Sequence, residues 1–232
     1  MAKTFAKRFY EEVSIKSALG GWHILLDGRT LKTPGKLILL VPSEKAVQLI
    51  AAEWDAQTEH IRPETMPVTR LLNVAVEQTP DNRDALIAEA RKYAGTDVLC
   101  YREGEVRLHA EEQAAKWDPV LDWAAGQGVS LKSTDGLIAI EQDSKALDAV
   151  AEFAKTLPDM QLTLFVHLVA VFGSAVLAMA VLKNHLSGEA AFELSRLDEI
   201  WQIKYWGEDE EAKERTESIG HEVNALCQLL ED

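Results

Sequence analysis

Between residues 8 and 42 the apolar positions come in short runs, RFYEEVSIKS, WHILLDG and LILLVP, separated by Gly20-Gly21 and by the turn-rich DGRTLKTPGK. Runs of this length bounded by glycine and by an Asp27-Gly28 pair predict an antiparallel β meander. Three short strands need a layer on one face, and the chain supplies it next. Ser43 follows Pro42 and precedes EKAVQLIAAEWDAQ. Val47, Ile50 and Trp54 recur there at helical spacing, with Glu44, Lys45 and Glu53 outward and Ser43 as the cap. Pro63 and Pro67 interrupt the chain around HIRPETMP, and Thr79-Pro80-Asp81 opens another helix through about Tyr93, Thr79 capping it.

Downstream the period is helical almost throughout, apart from a short β excursion expected around GLIAIEQ. HAEEQAAKWDPVLDWAAGQG is expected to break at Asp118-Pro119, restart, and stop at Gly126 and Gly128. SKALDAVAEFAKTL is a further helix. Ala190, Leu194, Leu197, Trp201 and Tyr205 form one stripe, and Ala212, Thr216, Ile219, Val223, Leu226 and Leu230 form another, narrower one. The pattern therefore predicts an α+β protein: an N-terminal α+β domain over residues 1–80, then a mainly helical domain over residues 81–232.

Residues 160–182, MQLTLFVHLVAVFGSAVLAMAVL, contain no Asp, Glu, Lys or Arg. As one helix rising about 1.5 Å per residue they would reach roughly 35 Å, enough for a hydrocarbon core of about 30 Å. The flanks argue otherwise: there is no basic cluster on one side, no Trp or Tyr at either end, and no second span. The amphipathic helices on either side need something apolar to pack on. A buried central helix is expected, without membrane insertion.

Charge sharpens this picture. The 232-residue chain carries a formal net charge of -14. Residues 1–40 hold seven Lys/Arg against three Asp/Glu, whereas residues 189–232 hold four against thirteen. An acidic protein repels phosphate backbones, so a nucleic-acid partner is disfavoured and a basic surface on another protein is favoured. The two cysteines, Cys100 and Cys227, have no C-x-x-C partner and imply neither a disulfide framework nor a zinc knuckle. MAKTFAKRFYEE lacks an apolar h-region or an Arg/Ser-rich amphipathic lead, and a cytoplasmic, monomeric protein is expected.

Phosphate-loop, dinucleotide, nucleophile-elbow and zincin motifs are missing from the sequence. His109 with Glu112 has the spacing of a metal pair, but without further nearby ligands it reads as a helix start, and neither metal nor cofactor is expected. His167 inside the apolar run is either a buried acid/base or, more ordinarily, a hydrogen-bonded core histidine. A small-molecule enzyme with a dispersed site around His109, Asp118 and His167 is the alternative to a binding protein. Trp54, Trp117 and Trp201 lie on apolar faces and are expected to be structural. Trp206 sits beside Gly207 and immediately before EDEE, where it is either an interface anchor or the neighbour of an acidic helix start.

Five stretches taken together add a resemblance: LDGRTLKTP (26–34), VPSEKAVQLIAAEWDAQ (41–57), DVLCYRE (97–103), WDPVLDW (117–123) and SRLDEIWQIKYWGEDEE (195–211). In this order they resemble the Atp-twelve family, bacterial and mitochondrial assembly chaperones of ATP synthase. The resemblance implies a small α+β domain followed by a helical domain. It also implies a non-enzymatic chaperone that binds the free α subunit of the catalytic head and shields its β-facing surface until the β subunit displaces it. Mitochondrial members begin with a targeting extension, and this chain is similar to the bacterial ones. The resemblance implies a partner-contacting position among Glu208, Asp209, Glu210 and Glu211, and the concentration of negative charge after residue 188 adds Asp198, Glu199 and Trp206 to the expected partner-binding residues.

Overall fold

In the computed structural model, which describes residues 5–136, 138–207 and 209–231, the chain divides into two compact units. The first runs to Asp81 and also takes in the late 3-10 turn Gln228–Leu230; the second runs from Asn82 to Cys227.

The first unit is built on a three-stranded antiparallel sheet, β1 (Val13–Ala18), β2 (Gly21–Leu26) and β3 (Arg29–Thr30), in that order. Register runs from Val13↔Leu26 to Ala18↔Gly21. The β2–β3 turn places both Asp27 (φ 49°) and Gly28 (φ 74°) in the left-handed region, the geometry of a primed hairpin turn. One Asp27 oxygen accepts the backbone N–H groups of Glu11 (3.0 Å) and Glu12 (2.9 Å), which hold its carboxyl below the usual range. LILLVP is not a full strand. It meets the sheet through isolated bridges, Trp22↔Val41 and Lys32↔Ile38, while the third strand lies in the segment read as a turn. Side-chain alternation survives without the ladder: Leu39 and Val41 are buried and Ile38 and Leu40 are exposed.

Helix α1 (Glu44–Asp55) covers the sheet and is capped by the Ser43 hydroxyl, which accepts from Ala46 N at 3.1 Å. Its Val47 and Ile50 are fully buried, as are Ile24 of β2 and Leu39 and Val41 beyond the sheet. Trp54 packs against Tyr10, ring centroids 5.6 Å apart, and the Tyr10 hydroxyl donates to the Trp54 carbonyl at 2.7 Å. Glu53 is not outward. Its two oxygens accept from Val68 N and Thr69 N, each at 2.7 Å, at the start of α2 (Pro67–Glu77). Burial pushes the Glu53 carboxyl up. Thus Pro67, read as an interruption, is the first residue of a helix whose cap comes from another helix.

Helix α3 (Thr79–Ala94), most of which belongs to the second unit, begins at Thr79 itself, whose hydroxyl bonds back to the Val74 carbonyl. Arg83 of α3 pairs with Asp159 and donates to the Leu157 carbonyl at 2.9 Å. Helix α4 (Arg107–Gly126) does not break at Asp118-Pro119 but runs through it. A proline there forgoes one helical bond, and Trp117, Val120 and Ala124, all buried, hold both halves in place. No strand forms among the described residues of 136–142; the one pairing nearby is a parallel bridge, Tyr101↔Thr134. Helix α5 (Ser144–Thr156) follows, capped by Asp143.

The apolar run is largely buried, with Ala170 at the surface, and forms two helices rather than one: α6 (Asp159–Phe172) and α7 (Ala175–Leu182). Gly173 takes the left-handed conformation (φ 63°) and the Ser174 hydroxyl caps α7 through Leu177 N at 3.0 Å. Fully buried Asp97 secures the joint. Its carboxylate accepts from Leu99 N at 3.2 Å and Val176 N at 3.1 Å, and burial pushes its pKa up to about 6. Beside it the Cys100 thiol, also buried, is pushed up to about 12. Among the described residues no helix is long and apolar enough to cross a membrane. The Ala190–Tyr205 stripe is likewise divided at Arg196 into α8 (Gly188–Ser195) and α9 (Leu197–Trp206), and α10 (Glu210–Cys227) follows. Glycines let α8 and α10 pack closely: a Cβ on Gly188 would meet Cys227 Sγ, and one on Gly220 would lie 3.1 Å from the Phe192 ring.

Candidate functional site

Helix α9 has one side tied to the bundle and one side free. On the tied side the His109 ring of α4 stacks on Trp201, centroids 4.5 Å apart and planes 2° from parallel. Its Nε2 lies 3.0 Å from an Asp198 carboxylate oxygen, off the direction of an aligned hydrogen bond, and Gln113 donates to that same oxygen at 2.8 Å. Gln113 in turn accepts from Glu103 N at 2.7 Å. The Glu103 carboxyl is held low by the backbone N–H groups of Glu105 and Val106. Trp117, fully buried, donates its indole N–H to the Leu194 carbonyl at 3.0 Å.

On the free side Ile200 (47% exposed), Ile203 (40%) and Trp206 (79%) face outward. Tyr205 keeps the expected stripe by lying against Trp201, ring centroids 5.0 Å apart, but its outer half is in solvent. Gly207 (φ 85°) ends α9, and Asp209 caps α10 by accepting from Ala212 N at 2.9 Å. The predicted stripe of α10 is only half used: Val223 and Leu226 are buried, Thr216 and Ile219 are half-buried, and Ala212 is exposed. Between this unused half and α9 runs a groove of about 390 Å³, with Ile200, Ile203, Trp206, Ala212 and Thr216 among its walls. Glu199, Asp209 and Glu217 stand on it with Arg196 and Lys213. Arg196 is engaged with Glu199 at 2.8 Å, and its guanidinium lies over the Phe192 ring at 5.3 Å.

Of the expected partner-binding residues, Glu199, Trp206 and Asp209 line this groove, and Glu210 and Glu211 are exposed in the first turn of α10. Asp198 faces α4 instead, and Glu208 lies outside the described residues. Ile200 and Ile203 were not singled out by the sequence reading; their signal was the i, i+3 spacing continuing to Trp206. The residues of the alternative dispersed site have separate partners: His109 has Asp198, Asp118 has Arg102 at 2.7 Å, and His167 lies 3.8 Å from Glu222. Glu112 pairs with Lys116 at 2.9 Å, not with His109. Among the described residues no three His, Cys, Asp or Glu side chains are grouped to hold a metal ion.

Residues 7–125 match the family described as ATP12 chaperone protein. The chain is 28% identical over 221 residues to the mitochondrial protein atp12 of Schizosaccharomyces pombe, covering 90% of this chain and 76% of that one. It superposes on the crystal structure of Atp12 from Paracoccus denitrificans with a TM-score of 0.90, at 38% identity and 97% coverage of both chains. A structure from Agrobacterium tumefaciens gives 0.92 at 36% identity, covering 97% of this chain and 85% of that one. The protein is therefore of the chaperone class. It belongs to the ATP12 family, whose members serve the assembly of ATP synthase.

Proposed function

We propose that this protein binds the free α subunit of the ATP synthase catalytic head and covers its β-facing surface until the αβ hexamer forms. In this reading it works in the bacterial cytoplasm as a monomer, needs no ATP and turns nothing over. The observation that carries the reading is the concentration of Ile200, Ile203 and Trp206 on the free side of one helix, next to the acidic start of another. A subunit waiting for its neighbour exposes an apolar interface edged with charge. A holder of that interface needs an apolar strip with an aromatic anchor, and carboxylates to set the register. Asp209, Glu210, Glu211, Glu214 and Glu217 outnumber Lys213 and Arg215 along the first turns of α10, giving a field that attracts a basic rim.

Such a field raises association rate more than final affinity, and salt weakens it. The test is binding kinetics to isolated α subunit at low and high salt, comparing wild type with the double variant Glu210→Lys/Glu211→Lys. The variant should associate several-fold more slowly at low salt and converge with wild type at high salt. Equal rates at low salt would move the contact away from α10.

A further inference from the structure

We infer that the element received by the α9–α10 groove is an amphipathic, basic helix of the partner, seated as a third helix between the two walls. This rests on the proposed function for its partner, and on the structure for the kind of segment. The sequence period lays one apolar stripe along the whole of α10, yet packing against α8 consumes only its C-terminal half. Ala212 and Thr216 continue the stripe past that contact, opposite Ile200, Ile203 and Trp206. The groove is therefore the place that a further helix of the same bundle would fill, by ridges into grooves.

The walls decide between a helix and an extended segment. Both are α-helices, whose backbone N–H and C=O groups in mid-helix are already paired. They offer no sheet edge for strand addition, the mode in which main-chain bonds hold an extended peptide. An extended chain laid on Ile200, Ile203 and Trp206 would leave its own peptide groups facing apolar surface without partners. A helix satisfies its own backbone and presents side chains at i, i+3, i+4 and i+7. Charge sets the rest of the sequence: Glu199 and Arg196 pair with each other, and of the remaining groups Asp209 and Glu217 on the walls, with Glu210 and Glu211 beside them, outnumber Lys213. Lys or Arg on the flanks of the incoming helix meets that rim. An anionic lipid surface is repelled by it.

The probe is a labelled, acetylated and amidated 14-residue peptide of Leu, Ala and Lys with apolar residues at helical period. The control has the same composition with the leucines alternating at strand period. Both are titrated by fluorescence anisotropy against the full chain and against Ile203→Asp and Trp206→Ala. The helical peptide should bind at least about tenfold tighter than the control and lose about tenfold on either variant, as a central aromatic or aliphatic anchor would. Trp206 is so exposed that its removal leaves the fold intact, which guards the test if Ile203→Asp unfolds. Equal binding of the two peptides overturns the inference. So does binding to phosphatidylserine vesicles, or dimerisation of the wild-type chain in ultracentrifugation, that either variant abolishes. Running isolated α subunit against the same variants separates the two claims. If α subunit binding falls while the peptides stay equal, the proposed partner stands and the helix does not. If the helical peptide binds and α subunit binding is unchanged, the helix stands and the partner does not.

Discussion

Helices α6 and α7 and helix α9 are made of similar material, with opposite outcomes. Leu168, Val169 and nearly every residue of Ala175–Leu182 are buried, whereas Ile200, Ile203, Tyr205 and Trp206 are left in solvent. The difference lies in how many sides are apolar. The α6–α7 run has no charged residue between Asp159 and Lys183, so only the centre of a bundle accommodates it. Helix α9 has acids and Lys204 interleaved with its apolar residues, so one side reaches the bundle through Trp201 and Asp198 and the other is spare. A spare apolar side on a folded protein marks an interaction surface.

The comparison breaks most sharply under charge insertion. Leu168→Arg buries an unpaired guanidinium at a fully buried position and should cost about 5 kcal/mol or more, abolishing cooperative unfolding in denaturant. Val171, only half-buried, would test this less severely. Next, Trp117→Ala should remove about 3–5 kcal/mol, because a fully buried ring is deleted and its bond to the Leu194 carbonyl lost. Urea titration measures both. If Trp117→Ala costs under about 1 kcal/mol, the tied side of α9 is not held as described.

The α6–α7 joint adds a pH signature. The Asp97 carboxyl titrates near about 6 when folded, above its ordinary value, because burial disfavours the charged form. Its protonation therefore favours the folded state: its contribution is fully present below the unfolded value near 4 and is lost as pH rises through about 6. The stability of wild type relative to Asp97→Asn should increase by about 2 kcal/mol between pH 7 and pH 4. A constant difference would mean that the carboxyl is already relaxed by its bonds to Leu99 and Val176. The smallest effect belongs to the spare side: Ile203→Asp should change stability by less than about 1 kcal/mol in thermal unfolding while weakening partner binding. A loss of several kcal/mol would place Ile203 in the core.

What could be read from the sequence follows the reach of each signal. Ser43 and α1, Asp143 and α5, and the glycine stop of α4 are set by neighbours within a few residues, and pattern reading found the helices. Helix α2 escaped because Met66 offers no capping oxygen and the cap arrives from Glu53. The continuity of α4 through Pro119 and the division at Gly173 are decided by burial around Trp117 and by Asp97, both contacts distant in sequence. At the site, the acidic run and Trp206 were conspicuous as composition. Ile200 and Ile203 became meaningful only once the structure showed which side of α9 the bundle had taken.

The 3-10 turn Gln228–Leu230 belongs to the first unit, and Glu231 next to it pairs with Lys45 of α1 at 3.3 Å. Leu229 is buried there. Time enters through this arrangement: on a ribosome adding about 5–20 residues per second, the whole of the second unit is made before this turn emerges, a delay of about 7 to 30 s. The sheet and α1 wait that long for their last piece, so newborn chains pass through an interval with that buried position unfilled.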